Sequence, residues 1–253
     1  MSMSSNGFKD HFSGASSDYQ RNRPTYPDAL FAFLAAHSPA CNCAWDCATG
    51  TGQAAQLLAR YFERVIATDG SATQIASAVR DPRIDYRVAT AEASGIEGAS
   101  VDLVTVAQAL HWFDIPAFFR EAHRVLKPRG IIAIWSYNLL TIEPAIDAVI
   151  NHLYGPVLDA YWPPERRLVE SDYRDIEFPF RQIATPSFAM ESRWTLDQLL
   201  GYLRTWSAVR RYQSEHGIDP VIATGEALSP LWGDRHAIRT IRWPMPVRVG
   251  VNE

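Results

Sequence analysis

The residues best able to do chemistry fall in two short segments. In Trp45-Asp46-Cys47-Ala48-Thr49-Gly50-Thr51-Gly52-Gln53, glycines let the backbone turn sharply and approach a ligand with no Cβ in the way. A helix predicted just beyond offers free N–H groups to polar ligand atoms. About seventeen residues past Gly52, Asp69 closes a short apolar run, where a carboxylate can accept both hydroxyls of a ribose. Asp69 also fits as the cap of the next helix. Each feature alone is a weak signal. A glycine-rich turn after one strand and an acid closing the next are together far less frequent by chance, and they point to a nucleoside-bearing ligand.

Two cofactor classes fit such a pair, dinucleotides and S-adenosylmethionine. A dinucleotide site needs G-x-G-x-x-G. The nearest match is ATGTGQAA, with Ala48 and Ala55 in glycine slots, and an acid at position 46 is foreign to that fingerprint. Asp46 instead suits a role organising the turn and, directly or through water, holding a ligand's ammonium group. The residues therefore favour the methyl donor over a hydride carrier. Past a later strand stand Gln108, His111 and Trp112. A carboxylate acceptor needs no base, being ionised near neutral pH, whereas a phenol or carbon acid does, and His111 is the histidine placed to serve. The other reading makes His111 a structural histidine hydrogen-bonded to backbone. Gln108, in an apolar strand end, needs a partner, either ligand or loop backbone. Trp135, Tyr137, Tyr161, Trp162 and Trp206 are candidates to line an acceptor pocket or to fill the core. Arg210 and Arg211 suit either an anion clamp or a solvated helix face.

The elements that position these residues alternate in type. Helix 27–37 (PDALFAFLAAH) precedes strand 43–47, helix 52–61, strand 65–69, helix 71–79, strand 84–89, strand 101–106, helix 116–126 and strand 131–135. Short apolar runs alternating with helical patterns predict a parallel sheet with crossover helices. Lys127-Pro128-Arg129-Gly130 reads as a helix stop. Beyond 138 the alternation ends: helix 143–158, the turn-rich YWPPERR, a strand near 183–190, helices 196–213 and 221–228, and a terminal strand IRWPMPVRVGV that its prolines confine to an edge or bulge. The expected fold is Rossmann-like α/β, a seven-stranded mostly parallel sheet with helices on both faces and a helical insertion before the last two strands.

Composition narrows the partners. Of 253 residues 47% are apolar and 21% charged, an ordinary globular mixture, and a net charge of −4 gives no electrostatic reason to bind nucleic acid. Cys41, Cys43 and Cys47 crowd into seven residues with no His or Cys at ligand spacing, so neither a disulfide framework nor a metal site is expected. No apolar run has the length of a membrane span and the polar start shows no secretory signal, which predicts a cytoplasmic protein.

YQRNRPTYP, AWDCATGTGQ, VIATDGS, ATAEA, DLVTVAQALHW and RVLKPRGIIAIW, in that order from about Tyr19 to Trp135, resemble the class I S-adenosylmethionine-dependent methyltransferases. Within them the likeness is to the group of trans-aconitate and ubiquinone/menaquinone methyltransferases, the methyltransferase type 11 group. It continues more weakly through TWSAVRRY and WPMPVRVG. The resemblance implies Gly50 and Gly52 facing the cofactor's methionine, with Ala48 in the same turn and Asp46 beneath. It implies Asp69 on the ribose, Gly70 and Gln74 beside the adenine, Ala91 and Glu92 at the adenine edge, and Ala107 and Gln108 beside the methionine chain. Tyr19 and Arg23 match the entry segment that covers the site or binds the cofactor carboxylate; Arg23 also fits as a loop anchor, and Glu92 as a solvated residue at a helix start. The family usually has glycine at position 48; alanine is tolerable there if that backbone is not left-handed. Thr90 stands where an acid is frequent, which shifts adenine recognition to Glu92 and backbone. The resemblance implies a tail or lid over 1–26, a cofactor-binding core over 27–137, a helical cap over 138–181, and 182–253 completing the sheet. The acceptor expected is a small molecule, a carboxylic acid in the leading version; a non-catalytic binding protein of the same fold is the alternative.

Overall fold

A computed structural model describes residues 24–253. Tyr19 and Arg23 lie outside the described residues.

Helix α1 (Asp28–His37) leads into five strands with helical crossovers: β1 (Cys43–Cys47), α2 (Gln53–Leu58), β2 (Arg64–Asp69), α3 (Ala72–Ala76), β3 (Ile84–Val88), β4 (Val101–Ala107), α4 (Ile115–Val125) and β5 (Leu126–Trp135). The rest comprises α5 (Pro144–His152), α6 (Arg166–Glu170), β6 (Arg181–Ile183), β7 (Phe188–Trp194), α7 (Leu196–Arg204), α8 (Ser207–His216), α9 (Val221–Trp232), β8 (Arg239–Met245) and β9 (Val247–Val251). The main sheet has seven strands in the order β3-β2-β1-β4-β5-β9-β6. The first five run parallel and β9 runs antiparallel to both β5 and β6. This is the expected Rossmann-like sheet.

Residues 65–67 and 131–135 form apolar runs with both faces covered, and 101–106 a third buried run interrupted by Asp102 and Thr105, because crossover helices lie on each side. Alternation along β1 divides the interior. Ala44 joins one core with α1 and α2, including Leu30, Phe31 and Leu58, while Trp45 and Cys47 join the other with Phe118 and Val125 of α4. Helix α4 starts where the Asp114 side chain accepts the Ala117 N–H at 3.1 Å. All parallel strands end at one edge, and the order reverses between β1 and β4, where ligands bind in sheets of this kind.

The second half differs from its sequence reading. The strand expected near 183–190 is two: β6 joins the main sheet, and β7 pairs with β8 in a separate antiparallel ribbon. The terminal segment likewise breaks before Val247 into β8 and β9. In a two-stranded ribbon every strand is an edge, so Pro244 loses no ladder partner that matters. Lys127-Pro128-Arg129-Gly130 is no simple stop but the irregular start of β5, with a register shift against β4 and Arg129 at φ +64°. The helix expected over 143–158 ends at His152 and passes into a π-turn containing Gly155 and Pro156.

Candidate active site

The turn after β1 is a run of left-handed residues: Ala48 at φ +54°, Gly50 at +58° and Gly52 at +89°. The condition set for alanine at 48 is therefore not met, and its Cβ is held in a conformation costing about 1–2 kcal/mol. The turn is pinned to the tip of β2. Thr49 N–H donates to Thr68 carbonyl at 2.9 Å, and the Asp69 carboxylate accepts the Gly50 N–H at 2.8 Å and the Ser71 N–H at 2.8 Å. The glycine turn and the acid thus touch directly. Above Gly50 the described residues leave space: a Cβ built there meets only the Gln74 side-chain oxygen, at 3.9 Å. Gln74 therefore faces the same hollow, held by Ser71, whose hydroxyl accepts the Gln74 N–H and caps α3. Gly70, half-buried, lies between Asp69 and that cap.

Asp46 sits beneath the turn, wholly buried. Its carboxylate accepts the hydroxyls of Thr49 at 2.5 Å and Thr105 at 2.8 Å, and the Ala55 N–H. Burial dominates these bonds and raises its pKa from 3.8 to about 6. With its oxygens turned into protein, Asp46 organises the turn and does not present a carboxylate at the turn's surface. Gly52 shows a constraint that sequence reasoning missed. A Cβ there falls 2.1 Å from the Tyr86 hydroxyl, so β3 packs its tyrosine where only glycine leaves room. The clue in the sequence is slight: strand alternation puts Tyr86 on the same face as its register partner Ala67.

On the adenine side, Ala91 is buried within the core that contains Trp45 and Phe118. Glu92 accepts the Asp114 N–H at 3.0 Å, tying the loop after β3 to the start of α4. Glu92 is thus neither a purely solvated residue nor one aimed solely at a ligand.

Past β4, Ala107 is half-buried and Gln108 takes φ +56°. The Gln108 amide nitrogen donates to Tyr137 carbonyl at 3.0 Å and its oxygen accepts Tyr137 N–H at 2.8 Å. Its need for a partner is met by loop backbone, so it fixes the segment after β5. His111, beside Trp112 with ring centroids 4.7 Å apart, has Nδ1 2.7 Å from the buried Tyr173 hydroxyl. Burial first, then the Arg166 charge, lower the histidine pKa from 6.5 to about 3. Its partner is a phenol from the loop after α6, not backbone as the structural reading had it. Trp135 is fully buried, edge-on to Tyr26 at 5.5 Å and Phe31 at 6.1 Å. It fills the core under α1 and does not line an acceptor space, because strand alternation sends it to the α1 face. Trp206 joins a cluster over the insertion, 5.9 Å from Tyr154 and 5.7 Å from Trp162.

The comparisons join this geometry to known proteins. The profile of the methyltransferase domain family matches residues 45–134. A solved structure of a type II methyltransferase from Anaeromyxobacter dehalogenans superposes with a TM-score of 0.87 at 44% identity, covering 91% of this chain and 98% of that one. A methyltransferase of Dictyostelium discoideum is 36% identical over 204 residues, 79% of this chain and 78% of its own. The chain belongs to the class I S-adenosylmethionine-dependent methyltransferases. A yeast relative from Saccharomyces cerevisiae, named as an S-adenosylmethionine-dependent methyltransferase, is 24% identical over 82% of this chain and 84% of its own length. The methyl donor of this methyltransferase is S-adenosylmethionine. A Cβ at Gly50 would meet only Gln74, and Asp69 lies against the same turn, so the described residues there leave room compatible with the nucleoside that donor carries.

Among the described residues the methyltransferase has no group of His, Cys, Asp and Glu arranged to hold a metal ion, and no helix long and apolar enough to cross a membrane. Cys41, Cys43 and Cys47 are unbridged, and burial pushes the Cys47 thiol up.

Proposed function

We propose that this methyltransferase acts on a small organic acid and methylates a carboxylate oxygen. In this reading Gly50, Gly52, Asp69, Gly70 and Gln74 hold the donor's nucleoside and methionine, and Ala48 and Asp46 shape the turn that does so. Ala91 and Glu92 border the adenine, Ala107 and Gln108 the methionine chain, and Trp112, Tyr137 and Trp206 the acceptor. S-adenosylmethionine supplies a methyl group on a sulfonium centre. The protein's own contribution is alignment, worth up to about 7–11 kcal/mol in well-oriented systems.

The observation that carries the acceptor class is His111. Its Nδ1 lies 2.7 Å from the Tyr173 hydroxyl, and burial holds its pKa down to about 3, which makes it a poor base for a phenol or carbon acid near neutral pH. A carboxylic acid arrives already ionised and asks for none. In this role His111 shapes the wall past β4 and does no proton transfer.

Labelled methyl transfer to a panel of mono-, di- and tricarboxylic acids tests the reading. The expected product releases methanol in mild alkali, as an ester does. Alkali-stable label on carbon or nitrogen overturns it. In the same preparation, Asp69→Ala should weaken S-adenosylhomocysteine binding in calorimetry by about 10- to 100-fold, the loss of a charged hydrogen-bond acceptor. Unchanged affinity removes Asp69 from the cofactor site.

A further inference from the structure

Arg166 is the first residue of α6, directly after Pro163-Pro164-Glu165. Its guanidinium is framed by aromatic faces, 5.4 Å from the Tyr154 ring centroid and 5.1 Å from that of Trp162. Nε donates to the Tyr154 hydroxyl at 2.9 Å, and one terminal nitrogen donates to the Asn138 side-chain oxygen. Asn138 stands three residues beyond the end of β5, in the segment that Gln108 holds by the Tyr137 backbone. The same charge reaches His111 and Tyr173, lowering the pKa of the first and opposing the rise in the second. The guanidinium thus sits among groups from the ends of β4 and β5 and from the insertion, on the opposite side of the β1/β4 reversal from the tip of β2.

Arg166 is half-buried, yet among the described residues it makes no ion pair. The carboxylate in its network, Glu170, bonds the Tyr154 hydroxyl, not the guanidinium. Partly desolvated cations are ordinarily paired, and the arginine's flat fork has donors to spare once Tyr154 and Asn138 are served. The two neutral acceptors and the stacked rings fix the fork's plane and so cut the entropy lost when an anion docks.

We propose that Arg166, held between Tyr154 and Trp162 and tethered to Asn138, is the site that receives an anionic group of the methyl acceptor. The group is a carboxylate bound in bidentate fashion, and Arg166 is a specificity-determining binding residue, not a catalytic one. The inference rests on the organic-acid reading above for the class of anion and adds where that charge is read. A carboxylate bound to the guanidinium is itself a poorer nucleophile, so the preferred acceptors carry two or more carboxylates, one held here and another presented to the methyl group.

Two measurements test it, and they fail separately from the acceptor reading. Binding of a tricarboxylate to the S-adenosylhomocysteine-loaded protein is followed by tryptophan fluorescence, since Trp162 and Trp206 adjoin the site. Wild type should titrate saturably, Arg166→Gln about 10- to 100-fold more weakly, and Arg166→Lys between them, while all three bind S-adenosylhomocysteine within about twofold of one another. That last equality shows the fold intact. In turnover, Arg166→Gln should raise KM for di- and tricarboxylates with little change in kcat, and should narrow their advantage over monocarboxylates. Wild type that shows no saturable tricarboxylate binding, or Arg166→Gln that matches wild type in binding and KM, overturns the proposal. Tricarboxylate binding lost in Arg166→Gln without any alkali-labile product keeps the anion site and removes the ester chemistry. Ester formation indifferent to Arg166 does the reverse.

Discussion

Asp46 and His111 are ionisable groups that burial drives in opposite chemical directions, toward the neutral acid and the neutral base. Asp46 takes up its proton near pH 6 when folded and near pH 4 when unfolded. Its protonated form therefore favours the fold at low pH, and that advantage is lost as pH rises through about 6. His111, with its folded pKa lowered to about 3, favours the fold above its unfolded value of about 6.5 and loses this as pH falls. Between pH 4 and 6 the two slopes oppose, so wild type alone hides both. Asp46→Asn exposes the first. Urea denaturation at stepped pH should show the wild type losing on the order of 3 kcal/mol relative to the variant between pH 4 and pH 7. Curves that stay parallel over that range mean Asp46 titrates as an ordinary aspartate.

At the scale of elements, the proposed donor side is a contact between three strand ends. Gly52 and Tyr86 mark how closely the start of α2 approaches β3 there. Gly52→Ala should reduce S-adenosylhomocysteine affinity and lower stability by roughly 1–3 kcal/mol, from the clash and from φ +89° together. Adding Tyr86→Ala should restore the part due to the clash and leave the backbone part. A double variant no better than the single places the whole cost in the backbone. The inner strands β2, β4 and β5 were legible because parallel strands covered on both faces read as mainly apolar runs, β3 was legible from its place in the alternation, and the glycine turn with Asp69 was legible because its chemistry is local. Trp135 was not: an aromatic at a strand's carboxyl end suits core and pocket equally, and only the position of α1 decides. β7, with its sequence FAMESRW, and the ribbon it builds with β8 give weak alternation and proline-broken runs, so their partition between two sheets depends on pairing that no local pattern encodes. Arg166 lay in a segment read only as turn-rich; its significance comes from making no ion pair among the described residues, which is a property of three dimensions.

For the whole molecule, two regions of sequence meet over one sheet edge. In the proposed reading residues before about 110 build the donor side, and those after about 135 bring Arg166, Trp162 and Trp206 to the acceptor side. Between them, β9 holds β6 to β5: Ile131 to Trp135 pair with Val251 to Val247, and Arg181 to Ile183 lie on its far side. Asn252 locks the arrangement, its N–H donating to Gly130 carbonyl at 2.8 Å, its carbonyl accepting the Arg129 N–H at 2.8 Å, and its side chain contacting His123 Nδ1 at 2.7 Å.

That late strand works as a seal. Until residues 247–251 dock, the apolar half of β5, Ile131 to Trp135, shows a bare row of backbone donors and acceptors, a template for pairing with another chain. Because the two partners lie more than a hundred residues apart, this exposure lasts through much of folding. A chain cut after Met245 should therefore emerge in size-exclusion chromatography mainly as soluble oligomers or aggregate, and a monomeric cut chain would show that β5 is shielded some other way. Crowded refolding, not the finished enzyme, is where this protein is most vulnerable.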